Sequence, residues 1–188
     1  MRTEGWCGVV LAGGKSSRMG RDKALIEQDG HTLIERALNI LEPHVDELII
    51  IGDPKRYDHF GPLAMADDQP GNGPLGGIHT ALRYAWNDRI IVLACDMPNV
   101  NGSFVEYLKA HFTENAEAVV AQCDGQLEPL AAIYSRKCLK VFGQQLANGA
   151  LRMSDAIEAV RTRYVQVCPG EEGWPTDLFR NINAPGDL

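Results

Sequence analysis

The sequence predicts an α/β protein with a mostly parallel sheet and helices on both faces, on three observations. Short apolar runs alternate with segments of helical period along the whole chain. No repeat or low-complexity linker interrupts that alternation. A length of 188 residues, 45% of them hydrophobic, suits one compact domain over residues 1–188 rather than two.

The first element is the apolar run Cys7 to Leu11, a buried strand. Leu33 to Leu41 sets Leu33, Ile34, Ala37, Leu38 and Leu41 on one helical face, and Leu48 to Ile51 follows as a strand. Leu75 to Trp86 reads as a helix, Arg89 to Ala94 as a strand, Ser103 to Phe112 as a helix and Glu117 to Ala121 as a strand. Pro129 to Tyr134 is a further strand, Arg136 to Leu146 and Met153 to Val160 are helices, and Tyr164 to Val167 is a short last strand. Ligands of such sheets bind beyond the carboxyl ends of the strands. The positions to read chemically are therefore Gly13 onward, Gly52-Asp53, Asp67 and Asp96.

A net charge of −7 and a pI near 5.2 speak against a nucleic-acid binder, whose affinity would come from a basic surface. Any basic site must be local. The five cysteines (Cys7, Cys95, Cys123, Cys138, Cys168) form no CxxC pair, which predicts reduced buried thiols rather than disulfides or a zinc site. The five histidines show no metal spacing. The start MRTEGW lacks the apolar core of a signal peptide and no run approaches a membrane span, so a soluble cytoplasmic protein is expected.

The segment Leu11 to Lys23, LAGGKSSRMGRDK, crowds glycines, hydroxyls and cations just past the first strand. Gly13 and Gly14 permit close approach of bare backbone N–H groups, and Arg18 and Lys23 supply positive charge, so the expected ligand is a phosphate. It is not a Walker A loop, because Val9 stands where the first glycine is required, and the dinucleotide fingerprint GxGxxG is absent. Asp96 closes the run IIVLACDMP and delivers a carboxylate to the sheet edge, a hard oxygen ligand suited to Mg²⁺. Asp67 and Asp68 precede the turn Pro70-Gly71-Asn72-Gly73-Pro74-Leu75-Gly76-Gly77. An Asp at that place can accept from N1–H and the exocyclic amine of guanine, while turn chemistry explains the glycines and prolines about as well. Glu128-Pro129-Leu130 and Asn181-Ile182-Asn183 are weaker signals, read as a hairpin charge and as backbone caps.

In combination, LAGGxSxRMGxDK at Leu11 to Lys23, DxxPGxGPLGGI at Asp67 to Ile78, CDMP at Cys95 to Pro98, EPL at Glu128 to Leu130 and NIN-P at Asn181 to Pro185 resemble the molybdenum cofactor guanylyltransferase family. The motifs stand in the family's order over nearly the whole chain, and LAGG rather than LAAG leans toward guanine. The resemblance implies a Rossmann-like nucleotidyltransferase fold and transfer of GMP from GTP to molybdenum-molybdopterin, with pyrophosphate released and Mg²⁺ as cofactor. It further implies that Leu11, Ala12, Gly13 and Gly14 line the nucleotide, that Arg18 and Lys23 contact phosphates, that Asp67 recognises guanine and that Asp96 holds the metal. Passing contact with cofactor-biosynthesis proteins or molybdoenzymes is compatible with such a role. Use of CTP, another phosphorylated acceptor, or a non-catalytic GTP-binding delivery role are the alternatives. Two departures stand out: Gly52-Asp53-Pro54 replaces the asparagine or serine frequent after the second strand, and relatives commonly continue past Leu188 into a helix, so a differently built second-substrate surface is expected.

Overall fold

The computed structural model describes residues 3–13, 22–171 and 173–182. Strand β1 (Thr3–Leu11) leads to a 3-10 turn at Lys23–Leu25, a small hairpin β2 (Glu27–Gln28) and β3 (His31–Thr32), and helix α1 (Leu33–Leu41). Strand β4 (Glu47–Ile51), helix α2 (Pro54–Tyr57), strand β5 (Leu63–Met65), helix α3 (Gly73–Tyr84) and strand β6 (Asn87–Ala94) complete the first half. Helix α4 (Gly102–His111), strands β7 (Ala118–Cys123) and β8 (Gln126–Ser135), helices α5 (Cys138–Ala147) and α6 (Met153–Glu158) and strand β9 (Thr162–Gln166) form the second.

Seven strands make one sheet in the order β5-β4-β1-β6-β8-β7-β9. The pairs β5·β4, β4·β1, β1·β6 and β7·β9 are parallel, while β8 runs antiparallel to both β6 and β7. The carboxyl ends of β5, β4, β1, β6, β7 and β9 therefore lie on one edge. The expected α/β class holds, with β8 as the single reversed strand.

Alternating residues of β1 divide the core: Val10 packs with α1 and α4, whereas Cys7 and Val9 pack with α3, α5 and α6. Helix α1 occupies the expected residues. Its apolar stripe is buried, and a capping box fixes its start, with Glu35 N donating to Thr32 Oγ1 and Thr32 N donating to Glu35 Oε2. Helix α3 begins two residues earlier than its apolar pattern predicts, because Pro74 fits the first turn, where no intrahelical N–H is needed. Its far end is capped by the Arg136 guanidinium, which donates to the carbonyls of Leu82, Ala85 and Asn87 and pairs with Asp88.

Strand β8 is longer than predicted and is broken. Val120 pairs with Ala132 and Gln122 with Leu127, so Glu128 to Ala131 bulge opposite Ala121. Pro129 sits in the bulge, where its missing N–H costs no ladder bond, and its carbonyl accepts from the buried Tyr134 hydroxyl at 2.7 Å.

One expectation is corrected: Cys123 and Cys168 form a disulfide. They are 45 residues apart in sequence, but β7 and β9 are parallel neighbours, and the ends of both strands meet with the two Cα atoms 5.0 Å apart. Cys7, Cys95 and Cys138 are buried free thiols, as expected. Burial, reinforced by the neighbouring Asp96 carboxylate, pushes the Cys95 thiol up to about 12. Among the described residues no helix is long and apolar enough to cross a membrane.

Candidate active site

The site forms where β4, β1 and β6 end together. The parallel ladder continues past the strands, with Ala12 N donating to Ile51 O at 2.9 Å, Gly52 N to Met65 O at 2.9 Å and Cys95 N to Leu11 O at 3.3 Å. Leu11, Ala12 and Gly13 are thereby fixed side by side with Cys95-Asp96. Gly13 is exposed, and a methyl there would meet nothing nearer than Ile51 O at 3.8 Å. Among the described residues nothing packs tightly at that position, so the bare backbone leaves room for close approach of a ligand. Gly14 and Arg18 lie outside the described residues.

Lys23 and Asp96, picked out separately in the sequence, are brought together by the fold. Lys23 Nζ is 2.7 Å from Asp96 Oδ2, with side chains 20% and 26% exposed. Asp96 Oδ1 is buried without a hydrogen-bond partner among the described residues. The Asp96 main-chain carbonyl accepts from Ile182 N at 2.9 Å, so the C-terminal segment is pinned across this edge. An unfilled, buried carboxylate oxygen fits a divalent cation. No cluster of three His, Cys, Asp or Glu side chains exists among the described residues, so a cation here would take its remaining ligands from water and substrate, the usual habit of Mg²⁺.

Asp67 lies on the same edge but apart from that pair. It follows β5, three strand spacings from β6, or roughly 14 Å at the usual interstrand distance. Its Oδ1 accepts from Gln69 N and from the buried Thr80 hydroxyl, each at 2.9 Å. Its carboxylate rests on Gly76, where a methyl would come within 2.7 Å of Oδ2. A methyl on Gly77 would come within 3.3 Å of Leu11 Cδ2. The two glycines thus serve close packing of α3 against Asp67 and β1, a reason that turn chemistry does not supply. Oδ2 retains acceptor capacity toward a ligand.

Three residues of the site escaped the sequence reading. The Tyr57 hydroxyl lies 3.0 Å from Ala12 O, 2.9 Å from Asp22 Oδ1 and 2.8 Å from Asp22 Oδ2, and Arg56 Nη1 pairs with Asp22 Oδ2 at 2.9 Å. Asp22 was visible as the acid of the GRDK sequence, but nothing local pointed to Tyr57. Gly52 is the reason Tyr57 fits: a methyl on Gly52 would lie 2.5 Å from Tyr57 Cε2. The Gly52-Asp53-Pro54 departure is thus a packing choice, and Asp53 caps α2 by accepting from Lys55 N at 3.1 Å. On the other side of the edge, Glu128 projects from the β8 bulge and is half-buried, and burial raises its carboxyl above the ordinary value. Asn181 is exposed, and Asn183 lies outside the described residues.

Residues 8–163 match the model of the MobA-like NTP transferase domain. The chain is 39% identical over 146 residues to a probable molybdenum cofactor guanylyltransferase of Clostridium perfringens, covering 77% of this chain and 73% of that one. It is 31% identical over 183 residues to the molybdenum cofactor guanylyltransferase of Syntrophotalea carbinolica, covering 96% and 87%. The structure superposes with a TM-score of 0.77, at 26% identity and over 96% and 94% of the two chains, on molybdopterin-guanine dinucleotide biosynthesis protein A from Archaeoglobus fulgidus. Fold, edge site and relatives define a nucleotidyltransferase of molybdenum cofactor biosynthesis. The chain belongs to the MobA-like NTP transferase family, in the branch of the molybdenum cofactor guanylyltransferases.

Proposed function

We propose that this nucleotidyltransferase moves GMP from GTP to the terminal phosphate of molybdenum-molybdopterin, as the names of its relatives suggest. The observation that carries the reading is the Lys23–Asp96 pair, with the second Asp96 oxygen buried and without a partner among the described residues, beside the bare backbone of Gly13.

The acceptor is a phosphate monoester with a second pKa of about 6, so it is already anionic at neutral pH and needs no general base. Its oxygen forms a new bond to the α-phosphorus of GTP while the bond to the β-phosphate bridging oxygen breaks, and that electron pair leaves on pyrophosphate. Lys23 exchanges its Asp96 partner for phosphate oxygens and offsets charge there, joined by Arg18 and by backbone N–H groups at Gly13 and Gly14. Asp96, released by that exchange, would be the residue to hold Mg²⁺, and a bound divalent ion would supply charge neutralisation at the phosphates. Asp67 receives the guanine edge, and the distance along the sheet between Asp67 and Asp96 separates base from phosphates. The pterin-bearing acceptor lies toward β8 and the break in its ladder that holds Glu128. A cytoplasmic setting suits these substrates.

The test is calorimetric titration with GTP, CTP and ATP, each with and without Mg²⁺, followed by assay of dinucleotide product with molybdenum-molybdopterin. At least about tenfold preference for GTP, or 1.4 kcal/mol, together with product formation supports the reading. Preference for CTP moves the assignment to cytidylyl transfer, and GTP binding without product moves it to a delivery protein.

A further inference from the structure

Tyr57 is 2% exposed, yet its ring stands outside the sheet ladder and packs on Gly52. Its hydroxyl touches two groups ten residues apart in sequence, the carbonyl of Ala12 and the carboxylate of Asp22, at 3.0 and 2.8 Å. These groups bracket the glycine- and cation-bearing segment of the first motif. We propose that Tyr57 and Asp22 form a clasp that ties the end of β1 to the residue before Lys23, and so sets the position from which Lys23 reaches the phosphates. The assignment of phosphates to Lys23 rests on the function proposed above; the clasp itself does not.

Three features make the contact a positioning device. Asp22 caps the 3-10 turn that carries Lys23, accepting from Ala24 N at 3.2 Å, while Ile26 N bonds to Lys23 O at 3.1 Å. A shift of the Asp22 carboxylate therefore shifts the turn and the root of the Lys23 side chain. Arg56 holds the same carboxylate from the solvent side at 2.9 Å, so the two residues ending α2 grip Asp22 together. Burial and the Asp22 hydrogen bond raise the Tyr57 phenol far above its ordinary value, so it keeps its proton for donation. A site that must hold a cation to a fraction of an ångström gains from such support by groups that never touch the ligand.

Tyr57→Phe removes the hydroxyl and keeps the ring. Hydrogen exchange at Lys23 to Ile26 without nucleotide, melting temperature, and kcat and KM for GTP are measured for Tyr57→Phe, Asp22→Asn and the double variant. The expected result is at least about fivefold faster exchange at Lys23 to Ile26, a melting temperature lowered by only a few degrees, and kcat lowered about tenfold with a smaller change in KM. The double variant loses no more than the worse single one. Unchanged exchange in both single variants overturns the clasp, as do losses that multiply in the double variant. Should Tyr57→Phe melt early, Asp22→Asn, which leaves the ring in place, reads the same exchange. Because exchange needs no nucleotide, a wild-type chain inactive toward GTP would overturn the proposed reaction and still leave the clasp to be judged.

Discussion

Lys23 and Asp96, 73 residues apart in sequence, share a 2.7 Å contact, while the other oxygen of the carboxylate is buried with no hydrogen-bond partner among the described residues. In the proposed reaction this pair would separate, Lys23 turning to phosphate oxygens and Asp96 to a divalent cation.

Asp96→Ala is expected to abolish GMP transfer while the far-ultraviolet spectrum and melting curve stay close to the parent's. Removing one group that stabilises the transferring phosphoryl costs about 3 to 4 kcal/mol of barrier, whereas a partly exposed ion pair contributes about 1 kcal/mol or less to folding. Lys23→Ala should show the same split between turnover and melting temperature. Near-normal turnover of Asp96→Ala with Mg²⁺ would remove the metal from Asp96.

Gly76→Ala tests the seat of Asp67. The added methyl would sit 2.7 Å from Asp67 Oδ2 and 3.1 Å from Gln69 O, so the carboxylate must move. Calorimetry should find GTP bound about tenfold more weakly and its advantage over ATP reduced. Unchanged affinity would mean that the base lies elsewhere.

Glu128 gives a pH signature. Its folded pKa lies above the unfolded value because burial penalises the charged form, so between those two values the folded chain holds a proton the unfolded chain has lost. Stability therefore falls as pH rises through that window, and the loss persists above it. Glu128→Gln should melt higher than the parent at neutral pH, and the two should converge below about pH 4. Equal melting temperatures at all pH values would show the carboxylate to be fully solvated.

Cys123→Ser should destabilise the chain only without reductant. Closing a 45-residue loop removes roughly 4 kcal/mol of unfolded-chain freedom in the loop-closure account. Parent and variant should give the same denaturation midpoint once a thiol reductant is present, and a gap that survives reduction would place the loss in packing instead.

Local signals were legible and long-range ones were not. Helix α1 could be read to the residue because its apolar stripe repeats within a few positions, and the Thr32–Glu35 box that fixes its start is equally local. The place of Asp96 followed from the apolar run that precedes it. Tyr57 could not be read, since its role depends on β4 and α2 presenting it to Asp22, 35 residues away in sequence. The disulfide depended on strand order, which spacing of cysteines does not reveal. The β8 bulge left one trace, a proline inside an apolar run, and that trace was taken for the start of the strand.

The bond from Ile182 N to the Asp96 carbonyl has a practical side. Ile182 thus stands beside the main chain of Asp96, whereas β1 begins at the opposite edge of the sheet, about 30 Å away for nine extended residues. An affinity tag belongs at the amino end. Added bulk on the Ile182 side, particularly a run of histidines with metal ligands of its own, would stand much nearer to Asp96.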